Sequence, residues 1–240
     1  KRTRFEQAGI DDVVSLEFTH AFAAFSPEMF AEQVLSKGLG LKEIFVGQHF
    51  AFGHKRVGQI GDLIALGKQF GFVVHPTPPV MIDGGVVSST RIRRLIDAGH
   101  VDQAAVLLGR HYALSGVVAS GEGRGRTLGC PTANLRLPPD RVAPADGIYA
   151  SVTTLNQERY DSIAYIGTRP TFDGGERGLE VSILDGTHEL YGRTLTVEFI
   201  GRIRGDAQFD SGEALSRQIA SDVDSARGIL RRYHETIRKR

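Results

Sequence analysis

Five short β-rich runs, "YALSGVVAS", "GIYASVTTL", "YDSIAYIG", "LEVSILDG" and "LTVEFIGRIR", fall between residues 112 and 204. Gly, Asp, Asn and Pro punctuate them. Such a succession folds as strands joined by turns, so this half is a small antiparallel barrel or sandwich. A long helix ends the chain. Its Leu215, Ile219, Val223, Ala226 and Leu230 keep one apolar stripe, and Asp210 with Glu213 form a capping arrangement at its start.

Residues 11–109 follow a different grammar, with short apolar runs alternating with helical periods. "DDVVSLEF" (11–18), "EIFVG" and "FVVH" read as buried strands. Between the first two, residues 26–40 read as a helix, with Ser26 as N-cap and Pro27 at the first helical position. Glu28 lies in its first turn, and Gly38 and Gly40 close it. "GQIGDLIALGKQFG" is a second helix, and "TRIRRLIDAGHVDQAAVLLG" forms two short ones. Strands separated by helices of this length imply βαβ units and a parallel sheet. The predicted domains are residues 1–108 and 109–240.

Charge is nearly balanced, 29 Lys+Arg against 28 Asp+Glu, so nothing draws the whole molecule to nucleic acid or a membrane. The basic end, "LRRYHETIRKR", reads as a solvated helix tail. No apolar run reaches the roughly 20 residues that span a bilayer. Cys130 is the single cysteine, which fits a reducing, cytoplasmic location and a role as small apolar filler. Nothing in the sequence signals an oligomeric state.

The densest polar segment is "SGEGRGRTLGCPTANL" (120–135). It is neither a P-loop nor a G-x-G-x-x-G motif, since Arg126 stands where the third glycine belongs. Gly121, Gly123 and Gly125 let backbone amides converge on phosphate, and Arg124 and Arg126 add positive charge. A hairpin turn is the alternative reading. Pro131 stiffens the chain just ahead of Thr132 and Asn134, which offer two hard oxygen donors on one side of an extended segment. That pairing suits Mg²⁺. Local backbone capping is its alternative.

These residues also resemble a known signature. "G-x-G-x-G-R-x-L-G-x-P-T-A-N-L" is similar to that of riboflavin kinases, including the kinase half of bacterial bifunctional riboflavin kinase/FAD synthetases. "DGIYA" (146–150), "IGTRPTF" (166–172), "LEVSILD" (179–185) and "LYGRTLTVEFIGRIR" (190–204) resemble the same family in order. The resemblance implies a riboflavin-kinase barrel that uses ATP and Mg²⁺ to convert riboflavin to FMN. It makes Glu180 the general base, with Thr132 and Asn134 helping to hold the metal and the ATP phosphates. The Gly121–Arg126 loop would cover the nucleotide, and Arg169, Pro170 and Thr171 would lie near the flavin. From its strand pattern alone, Glu180 shares a face with Ser182 and Leu184, opposite Leu179, Val181 and Ile183, where a solvent-facing charge is the usual outcome. Ser182 and Cys130 depart from the histidine and phenylalanine common in the family.

"VVSSTRIRRLI" (86–96) places Ser88, Ser89, Thr90, Arg91 and Arg93 at a helix start, suited to an anion or equally to plain N-capping. It resembles the "ISSTxIR" element of nucleotidyltransferases, which implies that Ser88, Ser89, Thr90 and Arg93 bind nucleotide. "IFVGQHFAFGHKRVG" (44–58) resembles the "VGxDFxFGxxRxG" stretch of the bifunctional enzymes, with His49 in place of the acidic or amide residue. No H-x-G-H motif occurs, so the resemblance begins partway into an FMN adenylyltransferase domain of incomplete Rossmann type. A piece of a bifunctional enzyme and a degenerate FAD-forming half both fit. A module that binds flavin or nucleotide without turnover is the alternative function. A nucleic-acid-binding barrel is disfavoured by the balanced charge and the few aromatics on its strands.

Overall fold

The computed structural model describes residues 2–119, 132–137, 140–168, 177–186 and 188–239. Its contacts divide between residues 1–86 and 87–240.

In the first unit, α1 (Arg2–Gln7) and α2 (His20–Ala23) flank the run at 11–18. That run is not the expected strand. It pairs with no strand among the described residues, and Val13, Val14, Leu16 and Phe18 are exposed. β-branched residues favour an extended chain, but only a neighbouring ladder makes a strand. The predicted helix at 26–40 begins as α3 (Pro27–Met29), where Ser26 Oγ accepts from the Met29 N–H at 3.1 Å. It continues as a π-type helix, Phe30–Gly38. β1 (Glu43–Gly47) then leads through α4 (Ile60–Phe70) to β2 (Val73–Thr77), which pairs parallel with β1. This is the predicted βαβ unit. A short hairpin comes next, β3 (Met81–Ile82) with β4 (Gly85–Val86). Ala31, Leu35, Val46, Phe52, Leu63 and Phe72 form the core beneath these elements.

The second unit opens with α5 (Ser89–Asp97) and α6 (Val101–Leu108). Its strands are β5 (Tyr112–Ala119), β6 (Ala133–Arg136), β7 (Gly147–Leu155), β8 (Glu158–Thr168), β9 (Arg177–Ile183) and β10 (Thr194–Arg204). All neighbours are antiparallel, and the order β10-β5-β6-β9-β8-β7 closes into a barrel. β6 is a correction. Its residues lie outside the five β-rich runs, at the end of the polar segment 120–135, yet they form the strand between β5 and β9.

Local chemistry explains the closure. β7 and β8 join through Asn156 and Gln157, both at positive φ (49° and 73°), the twist that a two-residue hairpin loop requires. At the start of β7, a side chain on Gly147 would meet the Arg204 carbonyl oxygen at 2.3 Å, so only glycine lets β7 and the end of β10 come together. Inside, Leu114, Val118, Ala133, Leu135, Tyr149, Leu179, Val181 and Phe199 interlock, with Val101 of α6 against them. Tyr149 meets Phe199 edge-on and donates to the Ala145 carbonyl at 2.5 Å; burial pushes its hydroxyl up to about 12.

α7 (Gly212–Arg238) covers Ala150, Val152 and Ile200 on the barrel's outer side with Ala226 and Leu230. Its N-cap is Ser211, whose Oγ accepts from the Ala214 N–H at 3.1 Å, rather than Asp210. Asp222 interrupts the apolar stripe. It is buried, and it accepts from Arg204 Nε and Nη2 and from Gln218 Nε2.

Candidate active site

The site is a row across three strands. In β6, Ala133 and Leu135 belong to the barrel core, which turns Asn134 to the outer face. In β9, Leu179 and Val181 do the same for Glu180. The register sets Asn134 opposite Glu180, and Glu180 opposite Tyr165 of β8. Side chains directly opposite in an antiparallel pair have Cβ atoms about 4.5–5.5 Å apart, so amide, carboxylate and phenol ring stand side by side.

Glu180 is 6% exposed and Tyr165 8% exposed. The solvent-facing fate of a strand charge does not apply here, because the carboxylate is embedded among its neighbours. Oδ1 of Asn134 is buried and has no hydrogen-bond partner among the described residues. A buried acceptor left without a partner costs about 1–3 kcal/mol, so this oxygen is set for something else to donate to or coordinate.

The strands carrying the row are tied down locally. Arg177, which opens β9, binds Asp146 Oδ1 through Nε and the Pro144 carbonyl through Nη2. Ser182, two residues beyond Glu180 on the same face, is buried. Thr132 lies immediately before β6 and is half-buried. Gly121, Gly123, Gly125 and Arg126 lie outside the described residues, as do Cys130, Arg169, Pro170 and Thr171.

The donor set fits a hard cation. A buried amide oxygen beside a carboxylate, with a threonine hydroxyl two residues away, is the oxygen chemistry that Mg²⁺ selects. Among the described residues no three His, Cys, Asp or Glu side chains gather into a group that could hold a metal ion.

In the first unit, a cleft opens at the carboxyl ends of the parallel strands β1 and β2. It is lined by Gly47, Gln48, His49, Phe50, Thr77 and Pro78, and crevices at such strand ends are where open α/β sheets take ligands. His49 is exposed there. His54 is held by its backbone N–H, which donates to the Phe25 carbonyl at 2.7 Å, and by its ring Nδ1, 3.1 Å from the Ala23 carbonyl oxygen. In the second unit, Ser88 caps α5 by accepting from the Arg91 N–H at 3.2 Å, and Ser89, Thr90 and Arg93 are exposed around the helix start.

Sequence reasoning missed Tyr165. It sits in a strand that looks like ordinary core, and only the pairing of β8 with β9 sets it opposite Glu180.

Comparison with known proteins gives a family match for each half of the chain. A family described as riboflavin kinase matches residues 108–230, and one described as FAD synthetase matches residues 1–91. Fold and site therefore define a flavokinase barrel joined to an FAD-synthetase-type α/β unit. The bifunctional riboflavin kinase/FMN adenylyltransferase of Haemophilus influenzae is 37% identical over 94% of this chain and 73% of that protein. Its Pseudomonas fluorescens counterpart is 39% identical over 92% and 71%, and the Escherichia coli K12 protein 38% over the same shares. The chain belongs to the bifunctional riboflavin kinase/FMN adenylyltransferase family. A crystal structure from Streptococcus pneumoniae, described as a macrolide-efflux protein, superposes with a TM-score of 0.86 at 34% identity, over 94% of this chain and 73% of its own. That description concerns the pneumococcal protein. Among the described residues here, no helix is long and apolar enough to cross a membrane.

Proposed function

We infer that the barrel transfers the γ-phosphoryl group of ATP to the terminal ribityl hydroxyl of riboflavin, giving FMN and ADP. In the bifunctional protein the α/β unit then transfers the adenylyl group of a second ATP to the phosphate of FMN, giving FAD and releasing pyrophosphate. The observation that carries the kinase reading is the Asn134–Glu180 pair, a buried carboxylate beside a buried oxygen without a partner among the described residues.

In this reading Glu180 accepts the proton of the attacking hydroxyl. The hydroxyl oxygen bonds to the γ-phosphorus, the bond to the β,γ-bridging oxygen breaks, and ADP leaves. A base positioned in this way contributes roughly 10²–10⁴-fold. Thr132 and Asn134 hold Mg²⁺, which when bound neutralises charge on the phosphates. Gly121, Gly123, Gly125 and Arg126 cover those phosphates, and Arg169, Pro170 and Thr171 border the flavin. Ser88, Ser89, Thr90 and Arg93 grip the nucleotide of the adenylyl transfer, supported by their place at the start of α5. Residues 1–108 are part of the adenylyltransferase domain and residues 109–240 are the kinase domain, and the protein works in the cytoplasm on riboflavin, FMN and ATP, without nucleic-acid or membrane partners.

The test is direct. The chain incubated with riboflavin and Mg-ATP should form FMN, resolved by chromatography. Riboflavin binding with no FMN at saturating Mg-ATP would support a non-catalytic module instead.

A further inference from the structure

Tyr165 occupies the flank of Glu180 that Asn134 does not. Three observations fix its ring. It is 8% exposed, and its hydroxyl donates to Asp206 Oδ2 at 3.3 Å. The ring also lies across Gly167: a methyl group built on that glycine would sit 2.1 Å from the tyrosine hydroxyl oxygen and 2.4 Å from the ring carbon bearing it. Gly167 pairs with Gly178, two residues from Glu180 on the same face of β9. The hydroxyl and the outer edge of the ring therefore lie one row along from the carboxylate, and the base of the ring is what stands beside Glu180.

A carboxylate on a strand has several staggered rotamers. With a locked ring filling one side, those that swing away from Asn134 are blocked. We propose that Tyr165 is a positioning residue that holds the Glu180 carboxylate on the Asn134 side, and that Gly167 is glycine because the ring needs its space. This rests on the reading of Glu180 as the base. Gly167 is not at positive φ, so alanine is tolerable to its backbone and acts by displacing the ring.

The experiment is a double-substitution cycle in the full chain, with kcat and KM measured for riboflavin and Mg-ATP. Misplacing a reacting group by about 1 Å costs up to roughly 100-fold. Gly167→Ala and Tyr165→Ala are each expected to lower kcat about 10-fold, with KM for Mg-ATP changed less than about twofold. Tyr165→Phe keeps the ring and should retain most of kcat. In the Tyr165→Ala background, Gly167→Ala should cost nothing further. Equal losses from Gly167→Ala in both backgrounds, or a Tyr165→Phe variant as slow as Tyr165→Ala, would overturn the proposal. Glu180→Gln is measured in parallel. If it turns over normally, the base assignment fails, whereas a failed cycle beside an inactive Glu180→Gln sinks the positioning role alone.

Discussion

Asn134 and Glu180 face each other across a strand pair, an amide oxygen with no partner among the described residues beside a carboxylate shut away from solvent. A structure gains nothing for its own stability from such an oxygen. Asn134→Leu, close in shape but with nothing to satisfy, should therefore raise the metal-free melting temperature by about 2–4 °C. The same variant should lose FMN formation and most of the stabilisation that Mg-ATP gives the wild type. Paired thermal scans with and without Mg-ATP check both effects. A variant that melts lower than wild type in the metal-free scan contradicts this account of the oxygen.

The helix–barrel contact makes a second prediction. Asp222 is 3% exposed and takes hydrogen bonds from Arg204 and Gln218. Asp222→Ala leaves the guanidinium without its counter-charge, and losing one partner of a buried pair costs about 3–5 kcal/mol. Urea unfolding should show this as a lower midpoint. Asp222→Leu combined with Arg204→Met should recover a good part of the loss, because no unpaired charge remains.

His111 sets a pH dependence. Burial holds its pKa below the ordinary histidine value, with Arg159 acting in the same direction and Glu198 and the Phe199 backbone opposing. Its Nδ1 is buried without a hydrogen-bond partner among the described residues, and its ring meets Tyr233 edge-on. The unfolded chain thus binds a proton at pH values where the folded chain does not. This contribution is intact above the unfolded value, about 6.5, and is lost as pH falls through that value toward the lowered folded one. His111→Phe keeps an aromatic ring against Tyr233 and should flatten the decline in urea midpoint between about pH 7 and 5. An unchanged slope would remove His111 from the explanation.

Legibility followed the range of the interactions. Ser26 and Ser88 were readable as caps because a cap is decided within four residues. Most barrel strands were readable from alternation and turn residues. β6 was not, since "ANLR" between Pro131 and Leu137 carries little strand propensity and becomes a strand by lying between β5 and β9. The run at 11–18 failed in the opposite sense, having propensity without a ladder. Asp222 was hidden in an apolar stripe, its partner 18 residues away. The motif and its resemblance singled out Glu180, Thr132 and Asn134, but the register that makes Asn134 its neighbour is a property of the closed barrel. Tyr165 carried no local sign of its role.

Single-turnover formation of FMN by wild type and Glu180→Gln, at saturating riboflavin and Mg-ATP, tests the central claim most directly. The amide keeps the size of the side chain and removes its basicity. The variant should stay folded, bind riboflavin with near-normal affinity and form FMN at least about 100-fold more slowly. A Glu180→Gln enzyme that forms FMN at the wild-type rate would contradict the account.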